Sequence, residues 1–142
     1  MQELYKKHWE LIDKAIELNA SFCEQRKEFI HEIGVVPFAM EFATVSLNLG
    51  RRTGKSEYIK TRALDHDVVV LPNKKIKERV YGEKKYLFDF LYYRDLKKGV
   101  EKEYITIYVE FIEKLNPCLV YEALAKSYQQ TFVFLGNILE MK

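Results

Sequence analysis

Two periodicities of apolar residues alternate along the chain. Tyr5, Trp9, Ile12 and Ile16 recur at helical spacing, which predicts an amphipathic helix near residues 3–18 that ends around Asn19. Ser21 and Glu24 form a capping-box pattern ahead of Phe22, Phe29 and Ile30. A second helix is therefore predicted up to Ile33, with Gly34 as its stop and Pro37 beyond. Over residues 42–49 the pattern changes to an almost uncharged run rich in β-formers, which suits a strand buried in a sheet.

Residues 57–64 read as a helix, and His66-Asp67-Val68-Val69-Val70-Leu71-Pro72 as a second short buried strand. Two strands separated by a helix make a βαβ unit, for which parallel pairing and a right-handed crossover are expected. Asn73 is placed to cap a helix over 74–81 that stops near Gly82. The unbroken aromatic stretch 86–93 fits a strand or a buried helical turn, and the strand is preferred. Residues 104–111 are a clearer strand, β-branched and aromatic, ending at a carboxylate. After the break at Asn116-Pro117, residues 119–128 have helical character. Residues 130–135 then form a fourth main strand, terminated by Gly136-Asn137. The expected fold is α/β, a mostly parallel sheet sandwiched by helices. It is expected to form one domain over 1–142, with N-terminal helices in 1–34 and the core in 41–142.

A chain of 142 residues that is 48% hydrophobic and rich in Tyr and Phe can bury a real core, which excludes a disordered tail. No apolar run approaches the roughly 20 residues needed to span a bilayer, and the N-terminus lacks a signal-peptide pattern. A cytoplasmic location without membrane contact is therefore expected. Cys23 and Cys118 belong to no metal-binding motif and read as structural thiols, and His8, His31 and His66 are too scattered to form a ligand set. Charge is uneven. Residues 73–102 hold ten Lys or Arg against five acids, a balance of +5, whereas residues 1–41 hold five basic and eight acidic side chains, a balance of −3. The basic segment is either a solvated lysine-rich face or a surface that attracts a polyanion such as DNA.

The chemistry concentrates in Leu47-Asn48-Leu49-Gly50-Arg51-Arg52-Thr53-Gly54-Lys55-Ser56, a glycine-bounded loop between a predicted strand and a predicted helix. Backbone N–H groups of such a loop, and of the helix's first turn, converge on a concavity that favours an anion. In a phosphate loop Lys55 reaches the terminal phosphates and the Ser56 hydroxyl ligates magnesium. The spacing is a variant, with three residues rather than four between Gly50 and Gly54.

Leu-Gly-Arg-Arg-Thr-Gly-Lys-Ser resembles the arginine-containing Walker A loop of the large-terminase ATPases that package DNA in tailed bacteriophages, members of the additional-strand, RecA-like P-loop class. The resemblance implies ATP and Mg2+ as cofactors, held by Gly50, Thr53, Gly54, Lys55 and Ser56. It also implies that Gln25, in Gln25-Arg26, contacts adenine, and that Asn137, in Leu135-Gly136-Asn137, belongs to a coupling motif that senses the γ-phosphate. Val70-Leu71-Pro72-Asn73-Lys74-Lys75 is similar to the strand and helix start that follow such a loop. The likeness is good over residues 25–81 and loose over 104–137. Arg51 or Arg52 would supply positive charge to the transition state in the manner of an arginine finger. A motor or phage protein is the implied partner, and the bacterial host cell the implied location.

The acid positions depart from the family pattern. The apolar strand should end in Asp-Glu, and it ends in Val109-Glu110. Glu110 is left to serve either as the catalytic base or in the metal-proximal place, with Glu113 as a second candidate. Two readings stand at this level: an ATP-Mg-binding P-loop domain acting as an ATPase, and a catalytically degenerate P-loop fold that binds nucleic acid or protein. Length is a further departure, because a complete packaging motor also carries a nuclease domain that does not fit in this chain.

Overall fold

The computed structural model describes residues 2–48, 54–111 and 115–136. A long helix α1 (Gln2–Gln25) is followed by two short ones, α2 (Phe29–Ile33) and α3 (Val35–Phe42), and by strand β1 (Thr44–Asn48). Then come α4 (Lys55–Arg62), β2 (Val68–Leu71), α5 (Lys74–Tyr81) and β3 (Asp89–Tyr92). A 3₁₀ helix (Tyr93–Lys98) leads to β4 (Thr106–Glu110), α6 (Pro117–Leu124) and β5 (Thr131–Gly136). The five strands form one all-parallel sheet in the order β1-β5-β4-β2-β3, with helices on both faces.

The alternation of side chains along each strand divides the core in two. Val68, Val70, Ile107, Val109, Phe132 and Phe134 face one layer, where they meet α3, α6 and the 3₁₀ helix through Phe38, Val120, Leu124 and Leu96. Val69, Leu71, Tyr108, Val133 and Leu135 face the other layer, against Ile12 of α1, Tyr58 and Ile59 of α4, and Ile76 of α5. The central strands β2, β4 and β5 are buried along their whole length, as parallel strands covered on both faces must be. Burying each large side chain in these layers contributes about 1.5–3 kcal/mol.

Several boundaries differ from the sequence expectation for local reasons. The first helix runs on through Asn19 and Ser21 to Gln25, because Asn19 and Cys23 face inward and hydrogen-bond the Phe42 carbonyl at 2.8 and 3.3 Å. Ser21 is therefore inside a helix and does not start one. Gly34, with φ 92°, ends α2 and also precedes α3, so Pro37 lies within the first turn of a helix, where its missing N–H costs nothing. The sequence pattern does not announce this third helix, and β1 begins only at Thr44 and lies at the sheet edge, with Val45 buried and Ser46 exposed, where a strand buried in the sheet is expected. By contrast, Asn73 caps α5 as expected, its Oδ1 accepting from the Ile76 N–H at 2.9 Å. β1 and β2 are parallel but are not neighbours, because β5 and β4 lie between them. Local pattern shows that strands form; their order depends on contacts distant in sequence. No described helix is long and apolar enough to cross a membrane.

Candidate functional site

The site assembles where the start of α4, the end of β4 and the last residue of α5 meet, at the carboxyl edge of the sheet. Gly54 sits just before α4 in the left-handed conformation, φ 75° and ψ 27°. Glycine adopts this without penalty, whereas a side chain there would be strained. The Gly54 carbonyl accepts from the Tyr58 N–H at 2.8 Å, which starts the helix, and from the Trp9 indole N–H at 3.2 Å. Trp9 thus ties α1 to the entry of α4. The following residues, Lys55 and Ser56, open α4, where the N–H groups of a first helical turn and the helix dipole favour negative charge.

Glu110 is the last residue of β4. Strand alternation puts it on the same face as Tyr108, toward α4 and α5, and that geometry brings it to Ser56 and Tyr81. The Ser56 hydroxyl donates to Glu110 Oε1 at 2.8 Å across 54 residues of sequence, and the Tyr81 hydroxyl donates to Oε2 at 2.6 Å. Glu110 is only 4% exposed and Tyr81 only 3%. Burial pushes the Glu110 carboxyl up; the two donated hydroxyls and the charges of Lys55 and Lys60 pull it back part of the way. Burial and the adjoining carboxylate both hold Tyr81 protonated, with its pKa well above the usual phenol value. Lys60 lies over the Tyr81 ring, 5.4 Å from its centroid.

Val109 is buried on the opposite face, away from α4, so an aspartate there would not face Ser56. The next residue along the chain is Phe111, with φ 58°, a left-handed conformation unusual for a bulky side chain, and it packs against the layer that holds Tyr81. Glu110 is therefore the acid that β4 presents to the start of α4, beside Ser56.

The sequence-predicted residues fare unequally. Gly54, Lys55, Ser56 and Glu110 come together. Gly50, Arg51, Arg52, Thr53, Glu113 and Asn137 lie outside the described residues. Gln25 is exposed at the last position of α1, beside Arg26, whose guanidinium lies over the Phe22 and Phe42 rings. Phe42 precedes β1, so Gln25 sits at the amino end of the sheet while Ser56 and Glu110 meet at the carboxyl end. The structure does not bring it to the site, because α1 runs against the direction of β1 and delivers Trp9, from its other end, to Gly54. Sequence reasoning missed Trp9 and Tyr81. The sequence shows Trp9 only as one position of an apolar helix face and Tyr81 only as a helix end, and their polar atoms give no periodic signal.

Ser56 and Glu110 are hard oxygen donors of the kind magnesium takes when a nucleotide supplies the remaining ligands. Among the described residues no group of three or more His, Cys, Asp or Glu side chains could cage a metal alone. The donor set fits a metal that arrives with phosphates. Comparison with known protein families, characterised proteins and solved structures gives no match to this chain.

Proposed function

We propose that the segment between β1 and α4 is a phosphate-binding loop and that the domain binds ATP with Mg2+. The observation that carries this reading is the 2.8 Å hydrogen bond from Ser56 to Glu110, between the start of the helix after the loop and the end of another strand. In this reading the α4 amino terminus and Lys55 hold the phosphates, while Ser56 and Glu110 hold the metal. Bound magnesium would neutralise phosphate charge and orient the nucleotide. The loop sequence resembles that of phage terminase ATPases. The position of β5, between the loop strand β1 and the acid strand β4, is in keeping with the additional-strand class.

Isothermal titration of ATP-Mg2+ into the wild type and Lys55→Ala tests the reading. The expected result is a loss of affinity of about tenfold or more in the variant, since hydrogen bonds to charged groups are worth about 1.5–3 kcal/mol. No binding by either protein, or equal binding by both, would overturn it.

A second reading is favoured by Phe111, which occupies the position after Glu110 where a second carboxylate would serve hydrolysis. With Glu110 the one acid hydrogen-bonded to Ser56 among the described residues, the fold would bind nucleotide with slow turnover or none, and act through nucleic acid or a partner motor protein. The basic segment supplies a surface for this, with Lys77 over the Phe90 ring at 5.1 Å and Lys84 over the Tyr86 ring at 5.4 Å. ATP turnover that Glu110→Gln abolishes would decide for the ATPase. Salt-sensitive DNA binding that Lys55→Ala leaves intact, without turnover, would decide for the binding module.

A further inference from the structure

A glutamate at the end of a strand has a long side chain with several rotatable bonds, and at 4% exposure no bulk water orients its carboxylate. Two hydroxyls do so instead. The one from Ser56 belongs to a residue that the nucleotide reading assigns to the metal, so that hydrogen bond must be remade when nucleotide binds. The one from Tyr81 carries no such second duty.

Tyr81 is built as a rigid strut. It is the last residue of α5, closed off by Gly82 at φ 68°, and its own ring is almost fully buried. The rings of Tyr86, Phe88 and Phe90 stand edge-on to it, with centroids at 6.0, 6.3 and 5.0 Å, and the Lys60 ammonium covers its face. Edge-on contacts of this kind fix ring orientation as well as burying area. The phenol oxygen is thus held at a set point beside β4, whatever happens at the loop.

We propose that Tyr81 is a positioning residue for metal–nucleotide binding: by holding Oε2 of Glu110 it keeps Oε1 directed at Ser56. The proposal rests on the nucleotide reading above and adds a residue that no motif contains. It makes Tyr81 an outer-shell partner of the kind whose loss weakens metal affinity by 10–100-fold at other sites.

The test is ATP affinity of the full chain measured twice, in EDTA and in excess Mg2+, for the wild type and Tyr81→Phe. Phenylalanine keeps the ring packing and removes only the hydroxyl. The expected result is an unchanged affinity in EDTA and a Mg2+-dependent tightening reduced about tenfold. A variant that keeps the wild-type response to Mg2+, or that loses affinity equally in both conditions, overturns the proposal, because a merely structural role would act on both alike. Tyr81→Phe in a Glu110→Gln background covers the case in which the single variant is too unstable. There the hydroxyl has no carboxylate to position, and any further drop in the Mg2+ response overturns the proposal.

Should neither the wild type nor Lys55→Ala bind ATP, or both bind it alike, the nucleotide reading fails separately. Tyr81 is then judged without ligand, by urea denaturation of Tyr81→Phe, Ser56→Ala and the double variant. Non-additive losses support a shared hold on Glu110, and additive ones overturn it.

Discussion

Two carboxylates are buried in this sheet almost equally, Asp67 at 3% exposure and Glu110 at 4%, yet they are held in opposite ways. Asp67 lies at the amino end, just before β2. Its oxygens accept from the backbone N–H groups of Leu64 at 2.8 Å and Thr106 at 3.1 Å, with His66 Nδ1 at 2.9 Å. Glu110 lies at the carboxyl end and is held by side-chain hydroxyls alone among its described hydrogen bonds. Backbone donors cannot leave without unfolding the strand start, so Asp67 fastens β4 to the turn before β2. Hydroxyl donors can rotate to other acceptors, so Glu110 can exchange a partner for a ligand. Burial alone does not separate a fixed acid from one able to change partners, but the kind of donor does.

The contrast is open to breaking, and Asp67 offers the largest effect. Asp67→Asn turns one accepting oxygen into an NH2 group facing a backbone N–H. A buried donor without a partner costs about 1–3 kcal/mol. With both the clash and a weakened second bond, a loss of about 3 kcal/mol is expected in urea denaturation, with ATP affinity of the folded fraction unchanged. An altered ATP affinity would erase the division between the two acids.

Glu110→Gln is expected to do the reverse, with a small stability change and a large change in Mg2+-dependent binding. Its stability signature lies in the pH dependence. Because burial raises the Glu110 carboxyl in the folded state above its usual value of about 4.5, the unfolded chain loses this proton first. Stability from this group is then fully present below that value and falls as pH rises through the raised folded pKa. Denaturation midpoints of the wild type should show the decline, and those of Glu110→Gln should not. A decline of equal size in both proteins would assign it to another group.

The smallest effect is at the exposed edge of the sheet. Asp89 accepts from Tyr104 at 2.7 Å and from Lys102 at 3.1 Å. Burial works to raise its carboxyl, but these two partners outweigh it and hold it below the usual 3.8. Its stabilisation is present above that value and is lost as pH falls through the lowered folded pKa. The carboxylate is 43% exposed, so solvent screens the pair, and Tyr104→Phe should cost less than about 1 kcal/mol at neutral pH. Acid titration of the variant should begin to unfold it at slightly higher pH than the wild type. A wild-type acid limb would show that Tyr104 adds nothing to this exposed pair.

Much of this was legible in the chain. The run Val68-Val69-Val70-Leu71 is continuous and apolar because it is covered on both faces, and Asn73 announces α5 because a capping side chain acts within four residues. The Gly54-Lys55-Ser56 step from loop to helix is equally local. Helix α3 was illegible because Pro37 reads as a stop, and only the chain reversal at Gly34 turns it into a start. Gln25 was misplaced because sequence distance from the loop says nothing about which end of an antiparallel helix reaches it.

The sequence by itself determined that this is a layered α/β chain with a glycine–lysine–serine step after a strand, since propensity, capping and periodicity act over a few residues. Only the tertiary structure decided the order β1-β5-β4-β2-β3, the approach of Trp9 to Gly54 and of Tyr81 to Glu110, and the choice of Glu110 over position 109 as the acid facing Ser56. Those depend on strand pairing and helix docking between residues tens of positions apart. Their free energies come from the packed whole and leave no mark in any one window of the chain.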